Sequence, residues 1–167
     1  KTVSGIIGSG SIFVSFVLSL IFFIGLVNGS QQKIDENVFD WIALPDFTIT
    51  FGLLLDQLSA TWLMVVTGIG FLIHVYSISY MHDDEKFHVF FSYLNLFIFF
   101  MLLLVLGNNF LVTFIGWEGV GLCSYLLIGF WFKNQDYNNA AKKAFVMNRI
   151  GDLGFLLGMF LLLYNFK

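Results

Sequence analysis

Five apolar stretches separated by short polar segments run through this chain of 167 residues. Apolar residues make up 58% of it and charged residues only 11%, against about 25% charged in a typical soluble domain. Each stretch is close to or above the ~20 residues that a helix needs to cross a bilayer. The pattern predicts an all-α membrane protein, a single membrane domain over residues 1–167 with about five transmembrane helices. The predicted spans are about residues 4–27, 53–81, 89–106, 110–132 and 140–164.

The longest connection between spans predicts an extramembrane β-hairpin at about residues 38–52. Aromatic and β-branched residues flank Leu44-Pro45-Asp46, and a Pro-Asp turn between such runs is typical of a hairpin. A plain amphipathic loop is the alternative. The shortest connection, Gly107-Asn108-Asn109, forces the third and fourth helices to be antiparallel neighbours.

The lysines divide unequally between the two sides of a five-span chain. Positive charge collects on the cytoplasmic side of membrane proteins, which predicts that the hairpin faces outward, toward the periplasm or the intermembrane space. Five lysines fall on the predicted cytoplasmic side and two on the other: Lys1, Lys86, Lys133, Lys142 and Lys143 against Lys33 and Lys167.

Composition and scattered reactive residues exclude several classes of function. The formal net charge of -3 gives no argument for a nucleic-acid partner. The lone cysteine, Cys123, lies in a predicted span and is expected to be a small packing residue. The histidines are too far apart to predict a metal site, and no catalytic triad or phosphate-binding loop is present. His82 and His88 belong to a charged turn, whereas His74 lies inside the second span, either packed or on a polar pathway.

Glu118 is the one charged residue in the fourth predicted span. A charged group near the centre of a membrane helix costs roughly 2.5 kcal/mol or more on insertion scales, and such residues are usually functional. Because Glu118 has no charged neighbour at helical spacing on its own helix, a purely structural ion pair explains it less well than an ion-transfer role. The sequence therefore predicts a protonatable site at Glu118.

The fifth span carries a second group of charges. Arg149 and Asp152 are three residues apart on one helix face and can pair, while Lys142 precedes Arg149 by about two turns on nearly the same face. Glu118 is ~12 Å from one end of its span and Asp152 ~18 Å from the opposite end of the next, so both reach a similar depth in a core ~30 Å thick. We expect Glu118, Arg149 and Asp152 to form one buried network, with Lys142 leading toward it; a structural ion pair that fixes helix register is the alternative for Arg149 and Asp152.

Small residues accompany both buried groups of charges. Glycines allow membrane helices to approach closely, which is expected to bring Glu118 toward the fifth helix. Packing alone is the simpler explanation for most of them. They are Gly116, Gly119 and Gly121 around the glutamate, and Gly151, Gly154 and Gly158 around the aspartate.

The motif GWEGVGLCSYLLIGFWF, followed by AAKKAFVMNRIGDLGF, resembles the antiporter-like membrane subunits that include subunit L, or chain 5, of NADH-quinone oxidoreductase. The segment LLLDQLSATWLMVVTGIGFLIHVYSISYM fits the same family. The resemblance extends from the first span to the last, and implies the second to sixth helices of a much longer protein. The chain starts at Lys1 without Met and stops near the end of a span, so we expect a fragment.

The resemblance implies a proton-translocating subunit that lies at the far end of the membrane arm of respiratory complex I. In the family the glutamate matching Glu118 is protonatable, and the positions matching Arg149 and Asp152 take part in proton transfer or support it. The family pairs this glutamate with a lysine on the next, broken helix, which this chain lacks, so the chain holds at most the input half of a proton unit.

The resemblance also implies which other molecules are involved. NADH, FMN, iron–sulfur clusters and quinone are bound by other subunits, so no cofactor and no redox chemistry are expected in this chain. The expected partners are other membrane-arm subunits and the lipid bilayer. The Phe-rich composition and the SYLLIGFWF segment favour a bacterial plasma membrane over the mitochondrial inner membrane.

Two other functions stay open at this stage. The first is the corresponding membrane component of a multisubunit sodium/proton antiporter, which shares the membrane motifs; the residues after the fourth span look more like subunit L. The second is a structural membrane scaffold without ion transfer. The sequence does not decide between protons and sodium.

Overall fold

The computed structural model describes residues 1–29, 33–44 and 47–166, which form five long helices and a two-stranded antiparallel sheet. All five helices are long and apolar enough to cross a membrane, so the predicted fold class is confirmed. The elements are α1 (Thr2–Val27), β1 (Ile34–Leu44), β2 (Phe47–Leu55), α2 (Gln57–Tyr80), α3 (Phe87–Leu106), α4 (Phe110–Ile128) and α5 (Gln135–Phe166).

The second helix starts later than the sequence predicted. Residues 53–55 belong to β2, and the helix starts only after Asp56. The Asp56 carboxylate accepts a hydrogen bond from the backbone N–H of Ser59 at 2.8 Å, and the Ser59 hydroxyl accepts one from the Asp56 N–H at 2.8 Å. This reciprocal capping box sets the helix start within an apolar run that hydropathy alone cannot divide.

The last two helices also differ from the predicted spans. The fourth ends at Ile128 instead of residue 132, and residues 129–134 form turns. The fifth begins at Gln135 instead of residue 140 and continues for 32 residues. Its polar first turns stay helical although they are not apolar, because a helix can continue beyond the bilayer where water solvates its side chains.

The predicted hairpin is present and longer than expected, since β1 and β2 pair from Ile34 with Leu55 to Leu44 with Phe47. Residues 45 and 46 of the predicted Pro-Asp turn lie outside the described residues. The hairpin is tied to the α3–α4 turn, where the backbone N–H of Asn108 donates to the Gly52 carbonyl at 3.2 Å. The Asn108 amide also donates to Asn37 Oδ1 at 3.1 Å.

Three other segments meet at the opposite end of the bundle. The Lys1 ammonium donates to the carbonyl of His82 at 2.8 Å, which joins the start of α1 to the α2–α3 turn. The Trp131 indole N–H donates to Asp84 at 2.9 Å, which joins that turn to the α4–α5 turn. The helices therefore alternate in direction as the division of the lysines assumed; the assignment of this end to the cytoplasm stays a prediction.

Close packing of the helices leaves most of their apolar surface facing outward. In the most apolar window of each helix, only 11–33% of the residues are buried within the chain. Large apolar side chains such as Leu72 and Ile150 are more than 60% exposed. Surfaces of this kind are stable against lipid or against other membrane helices, not against water.

Candidate functional site

Glu118 lies on α4, well inside the apolar part of the helix. The helix starts at Asn109, whose side-chain oxygen accepts hydrogen bonds from the N–H groups of Leu111 and Val112 at 3.1 and 3.0 Å. Glu118 follows this cap by nine residues, or ~13 Å along the axis. Its side chain is 22% exposed, so the carboxylate is largely withdrawn from its surroundings.

The charged partners of Glu118 come from α5, as the sequence predicted. The Arg149 guanidinium forms an ion pair with Glu118 Oε2 through Nη1. The same nitrogen is 3.7 Å from Asp152 Oδ2, one helical turn away. The side chain of Asp152 is only 7% exposed, whereas that of Arg149 is 46% exposed. The structure thus brings Glu118, Arg149 and Asp152 into one cluster, with the cation on its open side.

The sequence analysis missed a fourth member of this cluster, Trp117. Its indole N–H donates to Asp152 Oδ1 at 2.8 Å. A buried tryptophan N–H usually finds an acceptor, and Trp117 directly precedes the only carboxylate of its span. That pairing was the available signal, but it pointed to the carboxylate on the same helix and not to the one on α5.

Aromatic contacts set the level at which the two helices meet. Phe114 and Trp117 of α4 stack against Phe155 of α5, with ring centroids 5.5 and 6.4 Å apart. Farther along, Tyr125 meets Phe145 at 5.4 Å. The Arg149 guanidinium lies 4.7 Å from the centroid of the Phe145 ring, at a distance typical of a cation–π contact. These pairs fix an antiparallel register that places Glu118 opposite the charged turn of α5.

The cluster contains two carboxylates and one guanidinium. With both carboxylates ionised its net charge is −1, and uptake of one proton makes it neutral. Arginine keeps its charge at physiological pH, so the carboxylates are the groups that can take up and release that proton. Because charge is costly within a membrane, a site that alternates between −1 and neutral suits proton exchange.

Lys142 is not part of the cluster. It is exposed, and within residues 1–29, 33–44 and 47–166 it has no hydrogen bond or ion pair. The predicted stripe from Lys142 to Asp152 is therefore not closed by contacts in this structure.

The glycines act differently from the expectation that they would bring α4 toward α5. Gly116 and Gly119 face α3, where added Cβ atoms would lie 2.4 Å from the Leu104 nitrogen and 2.1 Å from the Phe100 ring. Gly121 faces α5, where its added Cβ would lie 3.4 Å from Asn148. The three glycines of α5 have no neighbour within 4 Å. Aromatic and ionic contacts, not small residues, therefore make most of the α4–α5 interface.

The remaining candidate groups form no second charged site. Among the described residues, no group of three histidine, cysteine, aspartate or glutamate side chains could hold a metal ion. His82 lies 3.2 Å from Asp83 in the exposed α2–α3 turn. Cys123 is fully buried in α4, as expected of a packing residue.

Two family models match the chain. One, described as the N-terminus of chain 5 of NADH-ubiquinone oxidoreductase (complex I), matches residues 41–91. The other, described as the transmembrane region of NADH:quinone oxidoreductase and Mrp antiporters, matches residues 107–167. Together they cover more than half of the chain, including most of the hairpin and the charged cluster.

Similar proteins named NADH-quinone oxidoreductase subunit L occur in several bacteria. One from Neisseria meningitidis serogroup A is 49% identical over 92% of this chain and 23% of its own length. Those from Mycobacterium tuberculosis and Escherichia coli K12 are 50% and 45% identical over 83% and 99% of this chain, and 22% and 27% of their own lengths. The chain thus spans about a quarter of the length of the curated relatives it matches. The matched models and this identity along most of the chain show that it belongs to the subunit L, or chain 5, family of antiporter-like membrane subunits.

Proposed function

We propose that this chain is part of a proton-translocating membrane subunit of NADH-quinone oxidoreductase, located in a bacterial plasma membrane. The relatives that carry this subunit's name support the assignment to the complex. The observation that carries the proton role is the membrane cluster in which Arg149 is shared by Glu118 and Asp152.

Glu118 is the group that takes up and releases the proton in this proposal. It is the more exposed of the two carboxylates, at 22% against 7% for Asp152. Asp152 also accepts a hydrogen bond from Trp117, which favours its ionised form. When Glu118 takes up a proton, Arg149 loses its nearest counter-charge and can pair with Asp152 on its own helix. Asp152 and Trp117 therefore position the arginine, and Glu118 exchanges the proton.

The redox chemistry is assigned to other parts of the complex. NADH, FMN, iron–sulfur clusters and quinone are bound by other subunits in this proposal, and the chain contributes the charged cluster alone. Other membrane-arm subunits and lipid cover its exposed apolar helix faces. Lys142 remains a candidate for delivering protons to the cluster from the end of the bundle that holds Lys1.

The corresponding membrane component of a sodium/proton antiporter is the second candidate function. The family model that matches residues 107–167 describes both kinds of protein. The model for residues 41–91 describes chain 5 of complex I, and the relatives bear the subunit L name, so the oxidoreductase is favoured.

The test is Glu118→Gln in the chromosomal gene for the full-length subunit. Glutamine keeps the size of the side chain and an oxygen for Arg149, but it takes up no proton in this pH range. In inverted membrane vesicles, we expect NADH-driven proton uptake with quinone as acceptor to fall several-fold. NADH oxidation by an artificial acceptor should be unchanged, which shows that the complex is assembled. Ser124→Ala, also on α4, is the matched control because its hydroxyl bonds only to the Val120 carbonyl of its own helix.

Two results would contradict the proposal. Normal proton uptake by an assembled Glu118→Gln complex would favour a structural scaffold. Sodium-dependent proton exchange in the absence of NADH, lost in the same variant, would assign the cluster to an antiporter.

A further inference from the structure

A buried histidine on the other side of the bundle plays no part in the charged cluster. His74 of α2 is fully buried, and its ring meets Phe91 of α3 edge-on with centroids 5.9 Å apart. Its Nδ1 lies 2.7 Å from the backbone carbonyl of Gly70. Since a carbonyl can only accept, the hydrogen of the neutral ring is on Nδ1. Nε2 is then an acceptor, and it has no hydrogen-bond partner among the described residues.

A serine of α1 shows the same deficit. Ser9 is 6% exposed, and its hydroxyl also has no partner in the described part of the chain. Other serines of α1 bond to their own helix: Ser15 donates to the Ser11 carbonyl at 3.0 Å and Ser19 to the Ser15 carbonyl at 2.8 Å. Ser9 therefore differs from its neighbours in leaving a buried hydroxyl free for a partner outside its helix.

The packing of α1 against α2 places these two groups at the same level. A methyl group on Gly5 would lie 3.3 Å from Ile78, and one on Gly70 would lie 3.8 Å from Ile12. The helices are antiparallel, so residues between Gly5 and Ile12 face those between Gly70 and Ile78. Ser9 and His74 each lie near the middle of these intervals.

We propose that His74 and Ser9 bind an internal water molecule between α1, α2 and α3. The Nε2 atom and the hydroxyl do not hydrogen-bond to each other, yet they are buried at one level, which is the arrangement that one bridging water satisfies. Buried waters usually make about three hydrogen bonds. Ser77, one turn from His74 on the same face of α2 and 4% exposed, offers the third group. The water donates to Nε2 and accepts from Ser9.

The energetic argument is that a buried polar atom without a partner is costly. Leaving such an acceptor or donor unpaired carries a desolvation penalty that folding does not recover. Two unpaired groups facing one interface would double that penalty, whereas a shared water removes it from both. The site lies on α1–α3 and stands whether or not Glu118 transfers protons.

Solid-state NMR of the chain in lipid bilayers tests the water site directly. The double variant His82→Asn/His88→Asn leaves His74 as the one histidine of the chain, so ¹⁵N-labelled histidine reports on it alone. At pH 7 we expect a protonated Nδ1, an unprotonated Nε2 and magnetisation transfer from water protons to the ring. A ring protonated at Nε2 instead, or a ring without water contact in the bilayer-embedded chain, would overturn the proposal.

Variants then separate a bridging water from a direct contact between the two side chains. Ser9→Ala should lower the water signal at His74 at least two-fold. Ser19→Ala is the matched control, because Ser19 is similarly buried on α1 but bonds to its own helix, and the water signal should not change. If Ser9→Ala shifts the Nε2 resonance while the parent ring shows no water contact, Ser9 bonds to His74 directly and the proposal is wrong. The measurement on the parent chain decides the matter even if Ser9→Ala fails to fold.

Discussion

Replacing Gly116 with alanine should push α3 and α4 apart. The new Cβ would lie 2.4 Å from the backbone nitrogen of Leu104 and 2.5 Å from its Cα. Ordinary contacts begin near 3.4 Å, and a backbone atom cannot move aside as a flexible side chain does. The helices must therefore separate by about 1 Å at this point. Overpacking of a well-packed interface typically costs about 1–3 kcal/mol. Alanine favours the helix over glycine by about 1 kcal/mol, which offsets part of that cost.

Gly154→Ala supplies the matched control for this prediction. Gly154 is also a helical glycine, but a Cβ there has no neighbour within 4 Å. The free energy of unfolding in mixed micelles, measured by titration with a denaturing detergent, should fall by up to about 2 kcal/mol in Gly116→Ala and stay equal or rise slightly in Gly154→Ala. Equal stability of the two variants would refute the argument that the close approach of Gly116 to Leu104 holds α3 and α4 together.

Three further changes should alter stability, each through one named contact. Asp56→Ala removes the capping box of α2 and should lower the free energy of unfolding in the same titration by about 1 kcal/mol. The hydrogen bond from Trp131 lowers the pKa of Asp84 below its ordinary 3.8, so this contact stabilises the protein above about pH 4 and is lost as the pH falls through the lowered value. Trp131→Phe should therefore lower the melting temperature at neutral pH and have less effect in acid, below the lowered pKa. Trp117→Phe keeps an aromatic ring but leaves the buried Asp152 without its indole donor, at a cost of about 1–3 kcal/mol in the free energy of unfolding.

The controls for these changes come from the same chain. Trp62→Phe changes an exposed tryptophan of α2 and should leave the free energy of unfolding nearly unchanged. A melting temperature of Trp131→Phe that falls equally in acid and at neutral pH would show that the ring packs there without acting through Asp84.

Hydropathy predicts the helices well because lipid leaves the backbone few choices. An apolar run of span length has to satisfy its own hydrogen bonds, and a helix is the simplest way to do so. The same rule fails at residues 53–55, which are as apolar as the helix that follows but pair with β1 and, at Leu53, with Gly107. Only the Asp56 and Ser59 pair marks the true start, and such a cap is a weak signal inside a long apolar run.

The charged cluster could be predicted from spacing and depth, but its geometry could not. Three residues between Arg149 and Asp152 place them on one helix face, and span lengths place Glu118 at a matching depth. The contribution of Trp117 depends on how α4 is rotated about its axis. That rotation is set by Gly116 and Gly119 packing on α3 and by the rings around Phe155, which are contacts between different helices that the sequence does not display.

Asn109 makes α4 a lever with the hairpin at one end. The asparagine oxygen caps the helix, while its amide nitrogen donates to the Thr50 carbonyl of β2 at 2.8 Å. The cap and Glu118 are nine residues, or ~13 Å, apart, so a tilt of α4 by ~5° about this pivot displaces the carboxylate by ~1 Å. A displacement of that size is enough to lengthen an ion pair beyond hydrogen-bonding range. A force applied to the hairpin, outside the apolar part of the bundle, is in this way transmitted mechanically to the contact between Glu118 and Arg149.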